Sequence, residues 1–266
     1  MITKINKWVM LHPNLAFNIL CILEALAIIG TYFHLLGWII VYIAIFIVLF
    51  LLNDKYVKSR MNVEVDKAFF LRREKCDPYP LYDIASYLVD HKILGWNLHV
   101  QMIMNKCVAL NGMGRYAESL EILKSITDKD LNAITHLAKA TYYNNMMSTY
   151  IYLNDVENAE LWLANTNLEF DNLRNSKKRI LENTLKMNTA EICIRKGEYD
   201  RVRELLGEIK PDHLASELNF RLLRAKYNIH AEKSDIAKSD LEYIVAKGNK
   251  LHIVEVAKNL LSELDQ

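Results

Sequence analysis

The chain has 266 residues, with 33 basic and 32 acidic side chains and a formal net charge of +1. That balance lacks the basic excess of a nucleic-acid-binding domain, so no nucleic-acid partner is expected. It also hides a division: before Asp54 only Lys4, Lys7 and Glu24 are formally charged, and the other 31 basic and 31 acidic residues all follow.

A short lead, residues 1–14, precedes two apolar runs, Leu15–Tyr32 and Leu35–Leu52. Each is close to the roughly 20 residues a helix needs to cross about 30 Å of hydrocarbon. Phe33 and His34 leave room only for a tight reversal, with Gly30 and Gly37 near it. Residues 15–53 are therefore expected to form a transmembrane helical hairpin. A cleaved signal peptide fits less well, because the first run is long, carries Glu24, lacks a small-x-small cleavage site and is followed at once by a second run. Lys4 and Lys7 lie on one flank and Lys55, Lys58 and Arg60 on the other, with none in the turn, so both termini are expected in the cytoplasm.

Glu24 falls near the middle of the first run. An ionised carboxylate there costs at least about 3 kcal/mol, so it should be protonated, paired or shielded from lipid. Helical spacing aligns Phe17, Cys21, Glu24, Ala27 and Thr31, and the small members allow close helix approach. Tyr42 falls at a similar depth in the second run. Cys21, Glu24, Ala27 and Tyr42 are thus candidates for intramembrane association, including with a second copy of the chain. A neutral Glu24 bonded to Tyr42 or to another copy is one reading; a proton- or cation-linked site is the other.

Residues 54–78 read as a mildly basic juxtamembrane helix, and Asp77-Pro78-Tyr79-Pro80 as its end. From there to the C-terminus, residues 79–266, apolar positions recur at helical spacing without sustained alternation. Leu81–Leu94 is expected to open this domain and Leu251–Leu264 to close it.

Four segments between these repeat a turn and a helix start: Gly114-Arg115-Tyr116-Ala117-Glu118-Ser119-Leu120, Asn154-Asp155-Val156-Glu157-Asn158-Ala159-Glu160, Gly197-Glu198-Tyr199-Asp200-Arg201-Val202 and Ser234-Asp235-Ile236-Ala237-Lys238-Ser239-Asp240. Taking Tyr116, Val156, Tyr199 and Ile236 as equivalent gives spacings of 40, 43 and 37 residues. The pattern, over about Trp96–Ala246, resembles the tetratricopeptide repeat, whose G-x-Y-x-x-A segment joins helix A to helix B. The resemblance places the small helix A residue at Cys107 and Ala190, with Met147 and Tyr227 departing from it. Later helix B positions fall on Leu123, Leu163, Leu206 and Tyr243. The spacings exceed the family's 34 residues and imply longer helices or turns. The fold expected is all-α, a membrane hairpin followed by a right-handed α-solenoid.

In that family the helix A segments line a groove that receives peptides or partner helices. Asn105, Asn145 and Asn188 each lie 11 residues before Tyr116, Val156 and Tyr199. An asparagine amide pairs with donor and acceptor of a peptide backbone at once. With Asn144 and Tyr152, which the same register turns to the groove, they are the candidate partner contacts. Thr184 and Asn188 stand where the family's carboxylate clamp has Lys and Arg, so a C-terminal carboxylate is not the expected ligand. Arg174, Lys177, Lys178 and Arg179 form the sharpest basic cluster, readable as a solvated loop or as a contact for anionic lipid or an acidic partner.

The four cysteines form no CxxC pair, the histidines sit singly, and the eight glycines are dispersed. No nucleophile elbow, phosphate loop or HExxH occurs. The expectation is a non-enzymatic membrane adaptor or scaffold without cofactor or metal. The alternatives are an accessory subunit of a membrane exporter or transporter and a membrane-bound peptide sensor.

Overall fold

A computed structural model of the chain describes residue 18 and residues 21–28, 36–91 and 96–264. All regular structure among them is α-helical. Residues 21–28 are helical, and twelve further elements follow among the described residues. These are α1 (Leu36–Glu74), α2 (Tyr79–Asp90), α3 (Trp96–Gly112), α4 (Tyr116–Lys124), α5 (Asp128–Ala133), α6 (His136–Tyr152), α7 (Val156–Asp171), α8 (Asn175–Lys196), α9 (Tyr199–Glu208), α10 (Leu214–His230), α11 (Ser234–Lys247) and α12 (Ile253–Leu264). The chain divides into two compact units, Met1–Lys67 with His91–Ile93, and Ala68–Asp90 with Leu94–Gln266. The second unit therefore begins about ten residues before the Asp77–Pro80 break that the sequence marks.

In the first unit, residues 15–17, 19–20 and 29–35 of the two expected spans lie outside the described residues. Among the described residues no helix is long and apolar enough to cross a membrane, so the two spans are not part of the described architecture. What is described is a row of bare apolar side chains: Ile22, Leu23 and Leu26, then Val41, Ile43, Ile45 and Ile47 through Leu51. Between residues 21 and 28 the less exposed positions are Cys21, Glu24, Ala27 and Ile28, three of which belong to the small-residue stripe.

The second unit is a series of helical hairpins, α3/α4, α6/α7, α8/α9 and α10/α11, whose first helices α3, α6, α8 and α10 pack on one another in order. All four close the same way. Gly114, Asn154, Gly197 and Glu232 hold left-handed backbone, with φ of 79°, 62°, 76° and 56°. The amides of the next residues, Arg115, Asp155, Glu198 and Lys233, each donate to a carbonyl five residues back, all at 2.9 Å. The left-handed residues themselves donate three residues back. This is the Schellman pairing, which satisfies the last carbonyls of the first helix.

The common turn corrects the register of the fourth repeat. Helices α4, α7, α9 and α11 start two residues after the left-handed position, so Ser234, not Ile236, is the equivalent of Tyr116, Val156 and Tyr199. The last spacing is then 35 residues from Tyr199 to Ser234. In that register the small helix A position is Cys107, Met147, Ala190 and Ala225, and its helix B partner is Ser119, Ala159, Val202 and Ala237. All eight are fully buried. Seven of the eight are Cys, Ser, Ala or Val, Met147 being the exception, which lets the paired helices approach closely. In the first hairpin Ser119 Oγ even donates to the Cys107 carbonyl across the contact. Leu241, not Tyr243, matches Leu123, and both are fully buried.

Of the four left-handed positions, Glu232 has the least suitable residue, since a Cβ there costs about 1–2 kcal/mol. Glu232→Gly is expected to raise stability by about 0.5–1 kcal/mol after the added freedom of the unfolded chain is counted. Urea denaturation of the two proteins checks this.

Two large buried clusters dominate the unit. One, around Leu123, Met146, Met147 and Ile151, joins α3 to α8. The other, around Leu218, Leu241, Ile244 and Ile253, joins α10 to α12 and also takes in Cys76. Helix α12 covers the last hairpin with Ile253, Val254 and Ala257, as the expected closing helix does. Helix α2 starts at Tyr79 with Pro80 in its first turn, where the missing N–H is no loss. Short α5 is held by a capping box of Thr127 and Asp130.

Candidate functional site

The first helices share a face whose side chains recur at fixed offsets before each turn. Two residues before the left-handed position lie Gly112, Tyr152, Arg195 and His230, and six before it lie Val108, Ser148, Glu191 and Lys226. This is the face on which the resemblance places a ligand groove, and it is largely committed to contacts between hairpins.

Tyr116 stacks on Tyr152, with ring centroids 4.7 Å apart, and Tyr199 stacks on His230. In both cases the first residue of a second helix meets the equivalent position of the next first helix. Between the middle hairpins the same place is filled by Arg195, which donates to the Asn154 side chain. Tyr152 is still about two-fifths exposed, but one face of its ring is already used.

The asparagines also turn inward. Asn188 Nδ2 donates to Asn144 Oδ1 at 3.0 Å and to Ser148 Oγ at 2.6 Å, tying α8 to α6. Asn144 and Asn145 are buried. Asn145 Nδ2 and Asn111 Oδ1 have no hydrogen-bond partner, while Asn111 Nδ2 donates to Thr149. Asn105 makes a long contact to the Met102 sulfur. Of the recurrent asparagines expected to receive a partner's backbone, Asn145 is thus buried among the repeats and Asn188 bonds Asn144 across them, while Asn105 is half-buried on α3.

Charge on this face is paired. Glu191 accepts from Arg195 at 3.2 Å and from Lys226 at 2.5 Å, linking α8 and α10. On the other side of α10, Asp240 is almost wholly buried and receives Arg224 Nε and Nη2 at 2.7 and 2.6 Å and Arg221 Nη1 at 3.0 Å. The Arg221 guanidinium also lies over Tyr243. Sequence periodicity gave no sign of this cluster, because its members sit on two helices and Asp240 occupies an otherwise apolar buried position.

Two open cavities lie beside these helices. One, about 540 Å³, is lined by Glu74, His213, Glu217, Phe220, Arg221 and Arg224 among others. The second, about 580 Å³, mixes Arg179, Lys186 and Lys210 with Glu182 and Glu208. Neither sets one sign of charge against a ligand. Of the basic cluster, Arg179 reaches the second cavity, Lys178 lies over Phe170, and Arg174 is the N-cap residue of α8. Among the described residues no group of His, Cys, Asp and Glu is arranged for a metal. Burial pushes the Cys76 thiol up to about 11 and Cys107 up to about 12, so both are protonated at neutral pH and poor nucleophiles.

His213 is the N-cap of α10: its Nδ1 accepts from the Ser216 amide at 3.0 Å, which requires an unprotonated Nδ1. Burial holds its pKa below the ordinary value, with Arg73 and Arg72 adding to the effect. A depressed histidine contributes stability that is complete above about pH 6.5 and is lost as the pH falls through the folded value. Lowering the pH from 7.5 to 5.5 is expected to cost about 1 kcal/mol through this cap. His213→Asn, a cap that does not titrate, should lose less over the same interval in urea denaturation.

No protein-family model matches the chain, and neither a curated protein nor a solved structure matches it significantly.

Proposed function

We propose that this protein is a membrane-anchored adaptor, a divergent tetratricopeptide-like repeat array held at the cytoplasmic face of a bilayer by its apolar N-terminal segment. The observation that carries the reading is the fourfold hairpin with one turn and one pair of small buried positions. Such arrays bury a continuous core while presenting an extended row of side chains to partners. The uncovered Ile22–Leu26 and Val41–Leu51 side chains support an anchor, since water-exposed apolar rows of this length call for lipid or protein cover. Nothing in this role requires bond chemistry or a cofactor.

A second reading is favoured by a specific observation. Asn144, Asn145, Asn188 and Tyr152 are buried or already engaged, which leaves fewer groups for a peptide and shifts weight to the apolar segment. In that case the protein is an accessory subunit of a membrane complex, joined through Cys21, Glu24, Ala27 and Tyr42 or through a second copy. Replacing residues 15–53 with an unrelated two-span hairpin separates the two. A crosslinked partner that survives the exchange supports the adaptor, and one that disappears while the protein stays in the membrane supports the subunit.

A further inference from the structure

The segment that ends α1 is built into the repeat unit at both of its ends. Pro78 lies against Gly112, at the close of the first hairpin's leading helix, and Leu251 approaches the same glycine. The Lys250 amide donates to the Cys76 carbonyl at 3.2 Å, Asn249 Nδ2 donates to the Lys75 carbonyl at 2.7 Å, and Lys250 Nζ pairs with Asp77 at 2.7 Å. Two residues on, the His252 amide donates to the Gly112 carbonyl at 2.8 Å. Cys76 is fully buried in the cluster of the last hairpin. Residues 72–78 therefore strap the first hairpin to the last, and Glu74 forms part of the wall of the cavity beside α10.

This strap is an imperfectly satisfied one. Cys76 and Asn249, on its two sides, both hold left-handed backbone at φ of 52° and 47° without being glycine. Arg72 Nε is buried without a hydrogen-bond partner. Burial, with Arg73 beside it, brings the Arg72 guanidinium down to about 10. The Asp77–Lys250 pair has a half-exposed lysine, which weakens it through solvent screening. The left-handed backbone at Cys76 and the unpaired Arg72 donor both lower the cost of detaching the segment.

We propose that residues 72–78 are the resident, displaceable occupant of the face between the first and last hairpins, an autoinhibitory strap that a binding partner must release. The proposal rests on the adaptor reading for its purpose but not for its test. Because the strap is part of the same chain, its effective concentration is of the order of millimolar, and a free copy of the segment competes poorly until the tethered copy is weakened.

The test uses the full chain in lipid nanodiscs and a labelled peptide of residues 66–80 under reducing conditions. Fluorescence anisotropy is expected to show at least tenfold tighter binding to the Cys76→Ser/Asp77→Ala protein, which loses the strap's buried thiol and its ion pair to Lys250, than to the wild type. Equal binding by both, or none by a variant that keeps its helical circular dichroism, overturns the proposal. Should the variant unfold, hydrogen exchange on the unaltered protein decides. The Lys250 amide, bonded to the strap's Cys76 carbonyl, is expected to exchange at least tenfold faster than the Asp155 and Glu198 turn amides and than the His252 amide, which is bonded to Gly112, and equal rates overturn the strap. Neither arm uses an outside partner, so a failed partner search bears on the adaptor reading alone.

Discussion

Gly114→Ala is expected to destabilise the repeat unit by about 3 kcal/mol, whereas Gly197→Ala costs about 1–2 kcal/mol, although both glycines hold the same left-handed turn. The backbone penalty is common to the two, with φ of 79° and 76°. The surroundings differ. A Cβ on Gly114 would lie 2.6 Å from the His252 ring, and one on Gly197 meets nothing nearer than Tyr199 at 3.9 Å. His252 cannot withdraw freely, because its amide is bonded to Gly112 and its ring packs edge-on to Tyr116. The alanine thus pushes apart the place where the end of the chain returns to the first hairpin. At about 2–4 °C per kcal/mol for a unit of this size, the loss for Gly114→Ala is about 6–12 °C in Tm. Equal losses for the two variants, measured side by side by calorimetry, would contradict the contact between the chain's end and the first turn.

Asp240→Ala is expected to cost about 2–3 kcal/mol. Removing one partner of a fully buried pair typically costs about 3–5 kcal/mol, and the lower figure applies because the Arg221 and Arg224 side chains are 25% and 38% exposed and regain water. Asp240 accepts from both arginines, so its loss removes their bonds across the α10–α11 contact, while Arg221 keeps its pair with Glu217 on α10. Replacing Arg224 alone leaves Arg221 in place and should cost less than half as much. Asp200→Ala breaks a solvent-exposed pair with Arg203 and should leave the urea midpoint unchanged. An Asp240 variant no less stable than the Asp200 variant would remove this cluster from the account.

Most of the repeat architecture was legible in the sequence because turn chemistry and small residues carry it. Gly114 and Gly197 mark left-handed closures, and Asn154 is the next best residue for one. The fourth repeat slipped by two residues for a physical reason. Glu232 is not a turn-forming residue and Ser234 is not apolar, so Ile236 drew the alignment, yet Ile236 is about half exposed on α11. The three turns before it fixed Tyr116, Val156 and Tyr199 correctly. The short helix α5 was missed because six residues cannot show a period.

The candidate site was less legible. Spacing placed Asn105, Asn145 and Asn188 at one offset, and it is one offset in the fold. Spacing could not tell a groove-facing amide from one that crosses to the neighbouring helix, since both lie on the same helical stripe. The strap was invisible for another reason: it joins residues 75–78 to residues 249–252, a separation of more than 170 positions, through backbone carbonyls that have no sequence signature.

The proposed apolar N-terminal anchor would leave the repeat unit on the cytoplasmic side. Alkaline phosphatase, active only outside the cytoplasmic membrane, and a green fluorescent protein, fluorescent inside, fused separately after Gln266 of the full chain in a bacterial host, test it most directly. The account predicts membrane-bound fluorescence that resists alkaline carbonate extraction, with no phosphatase activity. Active phosphatase, or fluorescence released by carbonate, would contradict it.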